Sequence, residues 1–185
     1  GSPGNYRFAQ NPEDAKAVLA FLRDPKNAAK YGIDTKRIAI VGHSMGGWVA
    51  ATVGGQDSEL LGVGMISAAN MGREGAQSRS DVIAIMAENM EALAGVTPES
   101  MADEEIANRE AFDFLHQAKG LASKPVLILS SDDGFAPQTD ELAAAIRTNG
   151  STRLQTQHVA TDHGWSDRRI ALQASVINWL QSLLK

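Results

Sequence analysis

Apolar residues recur at helical spacing in the first patterned stretch, QNPEDAKAVLAFLRDP (residues 10–25), where Ala15, Val18, Leu19 and Leu22 share one face. Asn11 stands before Pro12, which suits a first helical position, and Glu13 and Asp14 sit against the positive end of the dipole. The pattern predicts a helix capped by Asn11 and closed by Asp24-Pro25. The period then changes. RIAIV (37–41) is short, mostly β-branched and without polar alternation, as expected of a parallel strand covered on both faces. Similar runs lie in GVGMIS (62–67), PVLILS (125–130) and RLQTQHV (153–159), each separated from the next by enough chain for a helical crossover. MGGWVAATVGG (45–55) reads as a short helix, another helix starts near Pro137, and a last one runs from about Asp167 to Leu184. On that last helix Ile170, Ala174, Ile177, Leu180 and Leu184 fall at helical spacing. Strand alternating with helix predicts an α/β fold, a mostly parallel sheet flanked by helices.

Residues 72–123 are too long for a simple crossover. Two helical patterns, Asp81 to Leu93 and Glu104 to Lys119, flank GVTPES (95–100), which contains a break and a helix start. The segment reads as a lid-like helical insertion within one domain spanning residues 1–185. Insertions of this kind over strand ends form lids and pockets in some proteins and plain scaffold in others.

Composition narrows the function classes. A chain of 185 residues can form one core, burying about 70% of its unfolded surface. Seventeen Lys and Arg against 22 Asp and Glu give a net charge of −5, with no basic stripe to neutralise phosphates, so nucleic acid is not an expected partner. No apolar run approaches the roughly 20 residues of a membrane span. There is no cysteine, hence no thiolate nucleophile or sulfur metal site. The first residues lack the charged-then-apolar profile of a secretory signal; the compartment stays open, with the cytoplasm favoured.

Chemistry concentrates in AIVGHSMGGWVA (39–50). Gly42-His43-Ser44-Met45-Gly46 fits G-x-S-x-G, the nucleophile elbow in which a strand turns sharply into a helix and exposes a serine hydroxyl. Three fixed positions coincide by chance in roughly one chain in ten of this composition, so the surroundings must carry the argument. A serine hydroxyl needs a base, and four histidines are available. His43 adjoins Ser44 in a tight turn with its ring expected to point away, His116 falls on an insertion helix, and His158 lies inside the fourth strand. His163, in the loop ATDHGWSD (160–167) beyond that strand, occupies the sheet end expected to hold Ser44. VLILSSDDGFAP (126–137) offers Asp132 and Asp133 to orient such a base, although both residues also suit a turn. The backbone N–H of Met45 is the natural first oxyanion donor. Asp162, His163 and Asp167 cluster in sequence but lack any metal-ligand spacing, and GHSMGG lacks the dinucleotide-binding G-x-G-x-x-G. No cofactor is expected.

In the order VGHSMGG, PVLILSSDDGFAP, TDHGW, the chain resembles the α/β-hydrolase superfamily, and more loosely its esterase and prolyl-oligopeptidase-like branches. The resemblance runs from about Asn11 onward. In that family the acid commonly precedes a valine- or alanine-proline pair by a few residues, which is the position of Asp133. The resemblance therefore implies a catalytic Ser44, Asp133 and His163, and a carboxylic ester substrate cleaved through an acyl-enzyme, with a peptide or amide as the alternative. It also implies strands ahead of the first helix and an early loop, often His-Gly, giving a second oxyanion N–H. Neither is matched here, so the chain reads as the carboxyl-terminal portion of such a fold. RIAIV lacks the charges, proline or bulge that protect an edge strand, so an exposed sheet edge and self-association are expected, with activity impaired in the isolated piece.

Overall fold

The structure is a computed structural model that describes residues 4–90 and 92–185. Its elements, in chain order, are α1 (Gln10–Arg23), α2 (Pro25–Tyr31), β1 (Ala39–His43), α3 (Met45–Gln56), β2 (Gly62–Ile66), α4 (Met71–Glu74), α5 (Arg79–Asn89) and α6 (Pro98–Phe112). A 3-10 turn (Phe114–Gln117) follows, then α7 (Ala118–Leu121), β3 (Val126–Ser131), α8 (Ala136–Thr148), β4 (Leu154–Val159) and α9 (Arg169–Ser182). The four strands form one parallel sheet in the order β1-β2-β3-β4.

The pleat divides the core. Val63 and Met65 of β2 and Val126 and Ile128 of β3 join a cluster with Trp48 of α3 and Leu142 and Ile146 of α8. The alternate positions, Ile66, Leu127 and Leu129, face the other way and pack with Trp165 and Trp179. β2 and β3 are buried along their whole length, as the apolar runs predicted. β1 is half-exposed and pairs only with β2 among the described residues, leaving one main-chain edge unpaired.

Several boundaries differ from the sequence reading. α1 begins at Gln10, and its N-cap, Ala9, makes no side-chain cap. Glu104 of α6 holds the turn that precedes the helix, accepting hydrogen bonds from the N–H groups of Phe8 and Ala9, each at 3.0 Å. Asn11 lies inside the helix, and its amide donates to Tyr6 Oη and the Phe8 carbonyl. Of the expected α1 face, Leu19 is buried and Val18 is exposed. β1 runs two residues later than RIAIV because Arg37 is held in a turn by Asp34, while Gly42 and His43 keep register with Met65 and Ile66.

The apolar face expected on α9 is corrected. Ile170 is 85% exposed and Ile177 52%, whereas Leu172, Val176, Trp179 and Leu183 pack on the sheet. Both sets recur at helical spacing, and β2 decides between them. A Cβ on Gly62 would lie 2.9 Å from the Trp179 ring, so the strand's glycines make the slot that this indole fills.

In residues 72–123, α6 starts earlier than Glu104, at Thr97, which forms a capping box with Ser100. It stops at Asp113, whose side chain caps Leu115 N–H and accepts from the Asn70 amide. The single expected helix to Lys119 is therefore three short pieces. No helix of the described residues is long and apolar enough to cross a membrane.

Candidate active site

Ser44 joins β1 directly to α3 with φ 57° and ψ −125°, a backbone that L-residues seldom adopt. The neighbouring glycines make the turn possible. A Cβ on Gly42 would run into the Gly46 carbonyl, and one on Gly47 would stand 2.5 Å from Ala68 Cβ, so only hydrogens fit where strand and helix fold onto each other. The turn is pinned to β2 by the Ser44 N–H donating to the Ile66 carbonyl at 2.9 Å. Met45 is the first residue of α3, and its N–H makes no main-chain hydrogen bond among the described residues. A free donor at a helix N-terminus can receive developing negative charge.

Across the sheet end, β3 and β4 present the other groups. His163 Nδ1–H donates to Asp133 Oδ2 at 2.8 Å, which leaves Nε2 as the acceptor. Asp133 is almost fully buried beside a half-exposed His163. Burial pushes the Asp133 carboxyl upward, but hydrogen bonds from His163, the Phe135 N–H and Ser131 outweigh it and hold the group below the usual carboxylate range. The neighbouring Asp132 faces away and is engaged by His158, whose Nε2–H donates to it at 2.9 Å. His158 Nδ1 accepts from Ser130 Oγ at 3.0 Å. The two adjacent aspartates therefore pair with different histidines. His116 is exposed on the 3-10 turn.

Ser44 Oγ makes no hydrogen bond to His163 among the described residues. Their connection runs through the main chain: His43 Nε2–H donates to the His163 carbonyl at 2.8 Å, and the two rings lie 4.6 Å apart. His43 thus turns toward the histidine loop and ties it to the elbow. Catalytic contacts are often long without substrate and tighten when it binds. Phe135 completes the arrangement, with its ring edge-on to His163 at 5.5 Å and its side chain lining the same cavity as Ser44 and Met45.

Sequence reasoning missed the support beneath Asp133. Trp165 Nε1–H donates to Ser67 Oγ at 3.0 Å, Ser67 and Ser131 hydroxyls meet at 2.7 Å, and Ser131 Oγ donates to Asp133 at 2.9 Å. Trp165 and Ser67 both adopt positive φ, 54° and 44°, to reach these positions. The chain of donors runs from the Trp165 indole to the acid and fixes its orientation. Tyr6 was also unassigned; its hydroxyl donates to Met45 Sδ at 3.1 Å and accepts from Asn11, and burial beside Glu104 and Glu105 pushes it up to about 12.

The Asp162, His163 and Asp167 cluster is not a joint site. Asp162 accepts from the Ser166 N–H, Asp167 from Thr161 Oγ1, and His163 is committed to Asp133. The described residues contain no group of three or more His, Cys, Asp or Glu side chains placed to hold a metal ion.

A parallel sheet flanked by helices, with a serine of strained backbone between β1 and α3, defines the class: the chain has the α/β-hydrolase fold. More particularly, the BD-FAE family model matches residues 3–87, just under half of the chain. No curated protein matches the sequence. Among solved structures, the chain is similar to the Mycobacterium tuberculosis MPT51 protein at 19% identity and a TM-score of 0.66, covering 94% of this chain and 68% of that one. An esterase of Pyrococcus furiosus superposes with a TM-score of 0.64 at 16% identity, covering 94% and 61%. The acylaminoacyl peptidase of Pyrococcus horikoshii gives 0.60 at 18% identity, covering 84% of this chain and 24% of the peptidase. The chain thus spans less than two thirds of the length of the latter two.

Proposed function

We propose that this chain carries a serine-hydrolase site that cleaves a carboxylic ester. The observation carrying the reading is the 2.8 Å Asp133–His163 hydrogen bond, which aligns a histidine at the sheet end where Ser44 sits on its strained turn. In this reading Ser44 Oγ attacks the ester carbonyl while His163 Nε2 takes its proton, and Asp133 stabilises the imidazolium that forms. The free Met45 N–H receives the oxyanion at the start of α3. His163 then returns the proton to the departing alcohol, and a water activated by the same nitrogen releases the acyl group. An amide would pass through the same intermediate, so ester and amide substrates with a common acyl group belong in the same assay.

The test is a fluorophosphonate probe followed by peptide mass mapping. Labelling at Ser44 that disappears in Ser44→Ala is the expected result, together with turnover of a 4-nitrophenyl ester. A folded protein that neither labels at Ser44 nor turns over the ester refutes the reading and leaves a hydrolase-like domain without catalysis.

A further inference from the structure

The cavity beside Ser44 holds about 260 Å³. Most of its lining is apolar, including Phe8, Met71, Met86 and Met101. Glu105 of α6 breaks that pattern. It is completely buried, and neither carboxyl oxygen has a hydrogen-bond partner among the described residues. Buried acceptors are satisfied in nearly every folded protein, so an orphan carboxyl lining a cavity is a group awaiting a donor.

The surroundings specify the sign of that donor. Among the cavity's described lining residues, Glu74 and Glu105 are the only carboxylic acids, and no Lys, Arg or His is present. Glu74 is already satisfied by the amides of Gln77 and Gln138, and nearby Glu104 by the Phe8 and Ala9 N–H groups. Neither can spare a donor for Glu105; both add negative field around it. Burial, reinforced by Glu74 and Glu104, pushes the Glu105 carboxyl up to about 8.

Resting on the reading of Ser44 as nucleophile, we infer that Glu105 is a specificity-determining residue for an acyl chain ending in a primary ammonium group. An arriving ammonium carries three donors and the positive charge that lets the carboxyl release its proton to water and ionise against it; a hydroxyl offers one donor and no charge. The walls can admit such a chain. Met101 stands one turn before Glu105 on α6, and Met71 and Met86 line the same cavity, all unbranched side chains that repack at low cost. A site built around a charged partner discriminates chiefly by rejecting the uncharged analogue, which leaves the carboxyl unpaired.

The experiment compares the 4-nitrophenyl esters of 6-aminohexanoic and hexanoic acid at pH 7. Wild type is expected to favour the aminated ester by about tenfold or more in kcat/KM, and the ratio falls to about one in Glu105→Gln. Where the plain ester is cleaved, an aminated ester turned over no faster overturns the inference. A binding readout separates this from the hydrolase reading: thermal unfolding of Ser44→Ala with hexylamine or 1-hexanol. Stabilisation by hexylamine alone, lost on adding Glu105→Gln, supports the ammonium subsite even where neither ester is cleaved. Equal shifts with both ligands, or no shift with either, overturn it.

Discussion

Replacing Glu105 by glutamine removes an ionisable group from the interior at nearly constant shape, so its effect on stability must depend on pH. Burial, together with Glu74 on α4 and Glu104 on the same helix, raises the native carboxyl to about 8 from the ordinary 4.5. The sign follows from proton binding. Below 4.5 the group is protonated in folded and unfolded chains alike and contributes no pH dependence. Between 4.5 and about 8 the folded chain keeps a proton that the unfolded chain has released, so stability falls as pH rises. Above 8 both forms are ionised and the full penalty stands. That interval, at about 1.4 kcal/mol per pH unit, sets a ceiling of about 5 kcal/mol; relaxation and water entry around the ionised group lower the expected loss to about 2–4 kcal/mol. The assay is urea unfolding of wild type and Glu105→Gln at pH 5, 7 and 9, since titrations common to both proteins cancel in the difference. Glu105→Gln should gain on wild type from pH 5 to about 8 and level off toward pH 9. A difference that stays constant over that range refutes a buried, proton-holding Glu105. Tyr6, raised to about 12, stays protonated throughout and does not contribute.

Four further outcomes test the rest of the molecule. Gly42→Ala should prevent the elbow from closing, seen as loss of soluble folded protein, because the added methyl meets backbone and not a movable side chain. Ser131→Ala removes one of the donors that hold Asp133 down; the carboxyl should titrate at higher pH, and ester turnover should fall about tenfold with KM little changed. Trp179→Ala empties the slot beside Gly62 and should cost about 3–5 kcal/mol in denaturant unfolding, whereas Ile170→Ala should cost under about 0.5 kcal/mol. The unpaired β1 edge should make this chain self-associate with rising concentration in sedimentation velocity, and Val41→Lys, a charge on that strand, should shift it toward monomer; a wild type that stays monomeric throughout contradicts the expectation.

The central strands β2 and β3 were legible because a parallel strand covered on both faces is buried along its whole length and reads without polar alternation. Helix faces were not. α9 carries two apolar stripes at the same spacing, and the choice depends on glycines more than a hundred residues earlier, at positions 62 and 64, which admit Trp179. The start of α1 failed for a related reason. Asn11 had the chemistry of a cap, but the turn ahead of it, whose Phe8 and Ala9 N–H groups are held by the distant Glu104, leads into a helix that starts at Gln10. Local propensity is a weak prior wherever a tertiary partner can satisfy the same need.

The candidate site divides along the same line. Ser44 and the loops bearing Asp133 and His163 are marked by local patterns, since an elbow needs glycines beside it and strand-end loops need polar residues. The choice between Asp132 and Asp133 is marked in the sequence only by the family resemblance, through the Ala136-Pro137 pair that follows Asp133. It turns on which face each side chain leaves by, and β4 settles it by carrying His158 opposite Ser130, where it engages Asp132 and leaves the buried side to Asp133. Glu105 is invisible to any pattern: in ADEEIANRE it reads as one more acid on a charged helix. Only the packing of α6 against α4 and α5 places that acid inside, next to three methionines and the wall that Ser44 shares. The candidate serine is written locally because a strand that turns straight into a helix always has the same backbone problem to solve. What a cavity accepts is decided by contacts between distant segments, and there the sequence alone carries no period to read.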